Sequence, residues 1–346
     1  MHRRVLLRLT CTAALAATPA LLLAQSQPAA VAAATYPSKP IRLVVPFAPG
    51  SAPDVLARLL APALTDSMSA NVVVENVPGA VGTIGVDRVV KAAPDGYTLV
   101  LSGDAALVLT GGAFGVKPPY ETLRDLVPIA QLMVTPNVLV VANDVPARNV
   151  KELVALVRSQ PGKFSYSSGG IGFSTHRAGE LMNSMAGLDM VHVPNPTSPW
   201  PDVISGRTQL MFGNIALALP MVKDGKVRAL AVTATTRATA APELPTVSES
   251  GLPGFEALAW FGVLAPAGTP PAVLQRLEAE LHKAMATPAI NERLTTMGAM
   301  PGAQNAAGFT RVIQDEIKRW APKTGATAGA ASTTATASAT PSAPKP

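Results

Sequence analysis

Cysteine is all but missing from this sequence: Cys11 is the single one in 346 residues. With no second thiol, no intrachain disulfide can form and no cysteine cluster can hold a metal. Cys11 also precedes most of the apolar run 11–24, whereas a lipid-anchored cysteine should follow such a run. Histidine is scarce too. Past residue 34 only His176, His192 and His282 occur, without H-x-x-x-H or H-E-x-x-H spacing, so neither a metal nor any other cofactor is expected. Charged residues make up 14% of the chain and aromatics 4%. No Lys/Arg run is interleaved with aromatics, and Arg3, Arg4 and Arg8 supply half of the net charge of +6. Nucleic acid is therefore not expected as a partner. Downstream of residue 34 no apolar stretch reaches the length of a membrane span. No serine has the flanking of a G-x-S-x-G elbow, and no glycine-rich loop ends in G-K-[ST].

What is present divides the chain. MHRR, the apolar run 11–24 and the small-residue stretch QSQPAAVAAAT read as the charged, apolar and cleavage regions of a secretory signal peptide over residues 1–34. Cleavage is expected near Ala34, with Ala24 as a second candidate, and the mature protein in the periplasm. Export without disulfides suits a large bacterial periplasmic protein that needs no staples. At the other end, residues 324–346 hold only Ala, Thr, Ser, Gly and Pro besides Lys345, too little apolar bulk to offset ordering entropy; a disordered tail is expected.

Between these ends, β-branched runs alternate with helical patterns. IRLVVPF (41–47), NVVVENV (71–77), YTLVLSG (97–103) and VRALAVTA (227–234) read as strands. Residues 54–68 read as a helix that Pro62 should kink. A helix over 149–162 is capped by Asn149, another follows Thr269 as cap and Pro270 in the first turn, and 309–321 carries Phe309, Val312, Ile313, Ile317 and Trp320 on one face as core. The alternation argues an α/β fold with a largely parallel sheet.

Three loops repeat one device. PFAPGSAPD (46–54), PGAVGTIG (78–85) and GGIGFST (169–175) each carry glycines or hydroxyls into a helix N-terminus. Free N–H groups there attract anions, and glycine lets backbone approach a ligand. Converging in a cleft, they would make an anion site with no catalytic group. Ser174 and His176 stand two residues apart, a spacing that does not bring side chains together on a helix. A hydrolase using Ser174 is therefore the weaker alternative, and binding without catalysis the stronger.

YPSKPIRLVVPFAPGSAPDVLARLLAPAL, VVVENVPGAVGTIGVDRVVKAAPDGYTLVL, FSYSSGGIGFSTHRAGELM and LPTVSESGLPGFEALAWFGVLAPAGTPPAVLQRL resemble, in that order, segments of the Bug family, the periplasmic solute receptors of tripartite tricarboxylate transporters. The resemblance implies a type II periplasmic binding fold, two α/β lobes joined by a two-crossing hinge. The crossings should fall near 131–144 and 254–266, giving lobe one as 36–135 plus 256–323 and lobe two as 136–255. It further implies a small organic acid held between the lobes, permease subunits as partners, and a monomer. A receptor that signals rather than transports stays open as an alternative. Transferred position by position, the ligand contacts would be Phe47, Gly50, Ser51, Asp54, Gly79, Gly82, Ser168, Gly169, Ser174, Thr175, His176, Asn195 and Trp260.

The sequence also departs from the family pattern. Ser51 replaces a glycine, and Val81 stands where glycine is frequent. Asn195, Pro196 and Thr197 follow His192-Val193-Pro194 in place of an aromatic and a basic residue. Gly213 replaces a common aspartate. Together these changes imply a ligand less charged, or bulkier, than small dicarboxylates.

Overall fold

The β-branched runs do become strands, and most are short. The computed structural model describes residues 36–321 except Ala303; the leader expected over 1–34 and the tail expected over 324–346 lie outside the described residues. In chain order the strands are β1 (Ile41–Val45), β2 (Val72–Asn76), β3 (Thr98–Gly103), β4 (Leu126–Val141), β5 (Ser165–Ser168), β6 (Val191–Pro194), β7 (Leu210–Asn214), β8 (Arg228–Val232), β9 (Leu258–Pro266) and β10 (Met300–Pro301). The helices are α1 (Ala52–Met68), α2 (Thr83–Val90), α3 (Asp104–Val108), α4 (Thr122–Asp125), α5 (Val150–Arg158), α6 (Ser174–Ala186), α7 (Trp200–Ile204), α8 (Ile215–Lys223), α9 (Pro271–Met285), α10 (Pro288–Thr296) and α11 (Ala306–Trp320).

Strand order is β2-β1-β3-β9-β4-β7-β5-β6, with β8 and β10 also paired to β4. The long β4 belongs to two sheets. Its residues Leu126–Pro136 pair with β9, and Asn137–Val141 pair with β7, while β8 takes Val138–Val141. The change of partner falls at Pro136-Asn137. Proline has no N–H to give a ladder, and the next N–H, of Asn137, goes to the Thr233 hydroxyl at 2.8 Å. The chain returns beside the same point: Ala257 N–H bonds Thr233 O, and β9 begins at Leu258 opposite Pro136. Two α/β lobes thus share one two-crossing hinge.

The sheet is mixed rather than largely parallel. The pairs β1–β2, β1–β3, β5–β6 and β5–β7 are parallel, whereas β3–β9, β4–β9, β4–β7 and β4–β8 are antiparallel. A strand that crosses out of one lobe and a strand that returns to it must run in opposite directions. Helices cover both faces of the β1–β3 and β9 sheet. One face packs Leu43, Leu101 and Val263 against α1 and α9, and the other packs Val44, Val100 and Trp260 against α2 and α11. The second lobe packs Val140, Tyr166, Met182 and Phe212 into one core.

Local signals fare unevenly. Asn149 caps α5 through its side chain, which accepts from Glu152 N–H. Phe309 and Ile313 of α11 are fully buried, with Val312, Ile317 and Trp320 packed beside them. Pro62 lies exposed within α1, which continues past it to Met68. Thr269 is not the cap of α9. Pro270 holds that position, and the Thr269 hydroxyl donates to Pro266 O, closing the turn after β9.

Candidate ligand cleft

Each loop named from sequence leaves the C-terminal end of a parallel strand: 46–51 after β1, 77–82 after β2, 169–173 after β5 and 195–199 after β6. This is where open α/β sheets take ligands. A cavity of about 620 Å³ opens between them, lined by residues of 46–48 and 78–82 from one lobe and of 169–173, Pro194 and Pro196 from the other. Phe47, Gly79, Gly82 and Gly169 of the expected contacts line it, joined by Val81, Ile171 and Phe173. No lining residue carries a charge or a hydroxyl. Helices α1, α2 and α6 begin beside these loops, and none has a side-chain cap at its N-terminus. Their first N–H groups receive no side-chain acceptor from the cap position, the arrangement that suits an anion.

Val81 is held at φ 59° and ψ 24°. The left-handed region costs a side-chain-bearing residue about 1–2 kcal/mol, and a β-branched one crowds it further.

Most of the other expected contacts turn to partners within the protein. Asp54 is buried; its carboxylate accepts from Gly50 N–H at 2.8 Å, Arg58 Nε and Asn76 Nδ2. Burial pushes its pKa up, but these bonds outweigh burial and hold it below the usual carboxylate value. Asp54 therefore shapes the 46–50 loop from behind. Ser51 occupies the N-cap position without a side-chain bond, and its buried hydroxyl oxygen has no partner among the described residues. Ser174 Oγ accepts from Asn137 Nδ2 at 3.1 Å, tying α6 to the hinge. Thr175 Oγ1 accepts from Gly169 N–H at 3.4 Å. Asn195 binds Asp202 and Ser198 N–H, and this leaves Pro194 and Pro196 as the wall of the cleft. Trp260 is buried edge-on against Phe309, away from the cleft lining.

The rings of His176 and His192 lie 4.1 Å apart, tilted by 34°, with Phe114 against His176 and Tyr166 against His192. His176 Nδ1 accepts from Gly172 N–H, and His192 Nε2 lies 2.6 Å from Ser168 Oγ. Burial pushes His176 down to about 3, helped by His192 and Arg177, and His192 down to about 4. Both rings are neutral at pH 7, and Ser168 Oγ also accepts from Gly170 N–H and donates to Gly170 O. Ser168 is itself fully buried. Ser174 and His176 thus bond to different groups, as their spacing implied.

Sequence reasoning missed the contacts that tie the lobes together. Arg177 of α6 is 3% exposed and pairs with Asp104 at the start of α3 and with Glu316 of α11, the latter at 2.5 Å. Burial raises the Asp104 pKa to about 6, against the lowering effect of Arg177. These partners lie 73 and 139 residues away in sequence, and no local pattern announces them. Gly213 has a packing cause: a Cβ there would stand 2.6 Å from Trp200 Cη2, so the indole fills the space of a larger side chain.

The model of the tripartite tricarboxylate transporter family receptor matches residues 56–326. The UPF0065 protein of the tcbD-tcbE intergenic region of Pseudomonas sp. strain P51 is 39% identical over 292 residues, covering 82% of this chain and 85% of its own. BugT of Bordetella pertussis is 36% identical over 295 residues, covering 85% and 90%. Among solved structures, MatC from Rhodopseudomonas palustris with bound malate superposes with TM-score 0.71 at 30% identity, covering 83% of this chain and 99% of MatC. R. palustris Rpa4515 with adipate gives TM-score 0.71 at 30% identity, covering 82% and 96%.

Proposed function

Because the chain belongs to the tripartite tricarboxylate transporter receptor family, we propose that it is an extracytoplasmic receptor that closes on a small carboxylate and presents it to a membrane permease. The observation that carries this reading is the cavity shared by loops of both lobes, with the uncapped starts of α1, α2 and α6 around it. The anion is met by backbone N–H groups and helix dipoles rather than by a paired cation, so it can bind and leave unchanged. The malate and adipate bound in solved relatives support the ligand class. The lobes we assign are 36–135 with 256–323 and 136–255, rotating about the Pro136-Asn137 and Ala257-Leu258 crossings. The N-terminal leader would deliver the protein to the periplasm.

Titration calorimetry of the purified mature chain against mono-, di- and tricarboxylates tests the reading, with X-ray scattering of the same samples. Saturable one-to-one binding and a smaller radius of gyration with ligand are expected. Carboxylates that neither bind nor alter the scattering would overturn it. Cell fractionation of the full-length protein checks export.

A further inference from the structure

The turn between β2 and α2 carries four consecutive residues at positive φ: Gly79 (128°), Ala80 (45°), Val81 (59°) and Gly82 (92°). Glycine takes this region freely. Val81 does not, because its branched Cβ crowds the backbone there, and such a conformation persists only where the surrounding structure imposes it, often at a ligand site. The half-buried Val81 side chain lines the interlobe cavity. With it stand Phe47 from its own lobe and Ile171, Phe173, Pro194 and Pro196 from the other. Ile171 is 39% exposed, so its side chain is open to a ligand from the cavity side.

We propose that Val81 is a specificity-determining residue that selects carboxylates with one charged end and an apolar body, aromatic or branched aliphatic, over dicarboxylates. The proposal rests on the carboxylate-receptor reading above. A ligand anchored by one carboxylate at the helix starts lays its remainder against this apolar wall. A second carboxylate there would lose its hydration against Val81, Ile171 and Phe173 without gaining a cation, since no lining side chain is charged. The prolines at 194 and 196 cannot replace that water with backbone N–H donors. An apolar body gains from the same contacts.

The test is calorimetry on the mature full chain with 3-phenylpropanoate and 3-methylbutanoate against succinate and malate, repeated on Val81→Gly and Val81→Ala. In the wild type the monocarboxylates should bind at least about tenfold more tightly than the dicarboxylates. Val81→Gly should narrow that ratio by about tenfold, the scale of a few methyl groups in an apolar pocket, and Val81→Ala by less. The thermal midpoint of the glycine variant should not fall, because glycine releases the left-handed strain. Tighter binding of succinate or malate by the wild type, or a ratio unchanged in Val81→Gly, would overturn the proposal and leave the receptor reading standing. Binding of neither class would overturn the proposal, and failure of tricarboxylates as well would bring down the receptor reading.

Discussion

Gly213 shows how a single absent side chain can be structural. The Trp200 indole lies where a Cβ would be, at 2.6 Å, inside a closely packed core. Gly213→Ala should therefore destabilise the protein by about 1–3 kcal/mol through overpacking, and Gly213→Asp by more, since the carboxylate would also be buried. Urea titration of the variants measures this. Trp200→Ala should rescue part of the loss in the Gly213→Ala background. The same residue-level logic applies to Asp54. It matches a family position, yet its side chain serves the loop through Gly50 and Asn76. Asp54→Asn should weaken ligand binding only indirectly, by loosening the 46–50 loop, and should lower the thermal midpoint as well.

At the scale of elements, α6 is the joint of the molecule. Its first residue, Ser174, is tied to Asn137 at the crossing of β4, and Arg177, one turn on, reaches Asp104 and Glu316 of the other lobe. A buried ion pair adds little net stability against an apolar replacement, but removing one partner strands the other. Arg177→Met should cost about 3–5 kcal/mol at pH 7.5. The loss should shrink at pH 5, because Asp104, already raised to about 6 with the arginine present, becomes protonated and no longer needs a cation. Arg177→Met combined with Asp104→Asn should recover most of the stability. Denaturation curves of the three proteins at both pH values check the sequence of effects. Asn137→Ala should leave the fold intact but change the open-to-closed balance, read as a shift in the ligand-free radius of gyration.

For the whole molecule, the buried titrating groups set the response to acid. His176 and His192 have folded pKa values near 3 and 4, below the ordinary 6.5. Between those values and 6.5 the unfolded chain binds protons that the folded chain does not, so stability falls as pH drops through this range. Asp54, held below its ordinary value, acts in the same direction at lower pH. Asp104 acts oppositely: its folded pKa of about 6 lies above the ordinary 3.8, so its contribution declines as pH rises from about 4 to 6. Two histidines outweigh one aspartate. The thermal midpoint should therefore be lower at pH 5 than at pH 7.5, and Asp104→Asn should steepen that fall. A midpoint flat or rising toward pH 5 would contradict the assignment of both rings as buried and neutral.

The elements and the loops were legible from the residues alone. The β-branched runs became β1, β2, β3 and β8, the apolar stripe of 309–321 became α11, and the glycine-bearing segments at 46–50, 78–82 and 169–173 came to border one cavity. These are local effects, in which chain geometry and side-chain polarity act within a few residues. The rest follows from how distant segments pack. That packing turned β4 and β9 antiparallel, because two crossings of one hinge must oppose each other. It sent Asp54, Ser174 and Asn195 to partners inside the protein and brought Val81, Ile171, Phe173 and Pro196 together as the wall. It joined Arg177 to carboxylates 73 and 139 residues away. Contacts between distant segments depend on how two sheets and their helices dock, and no neighbouring residue records that.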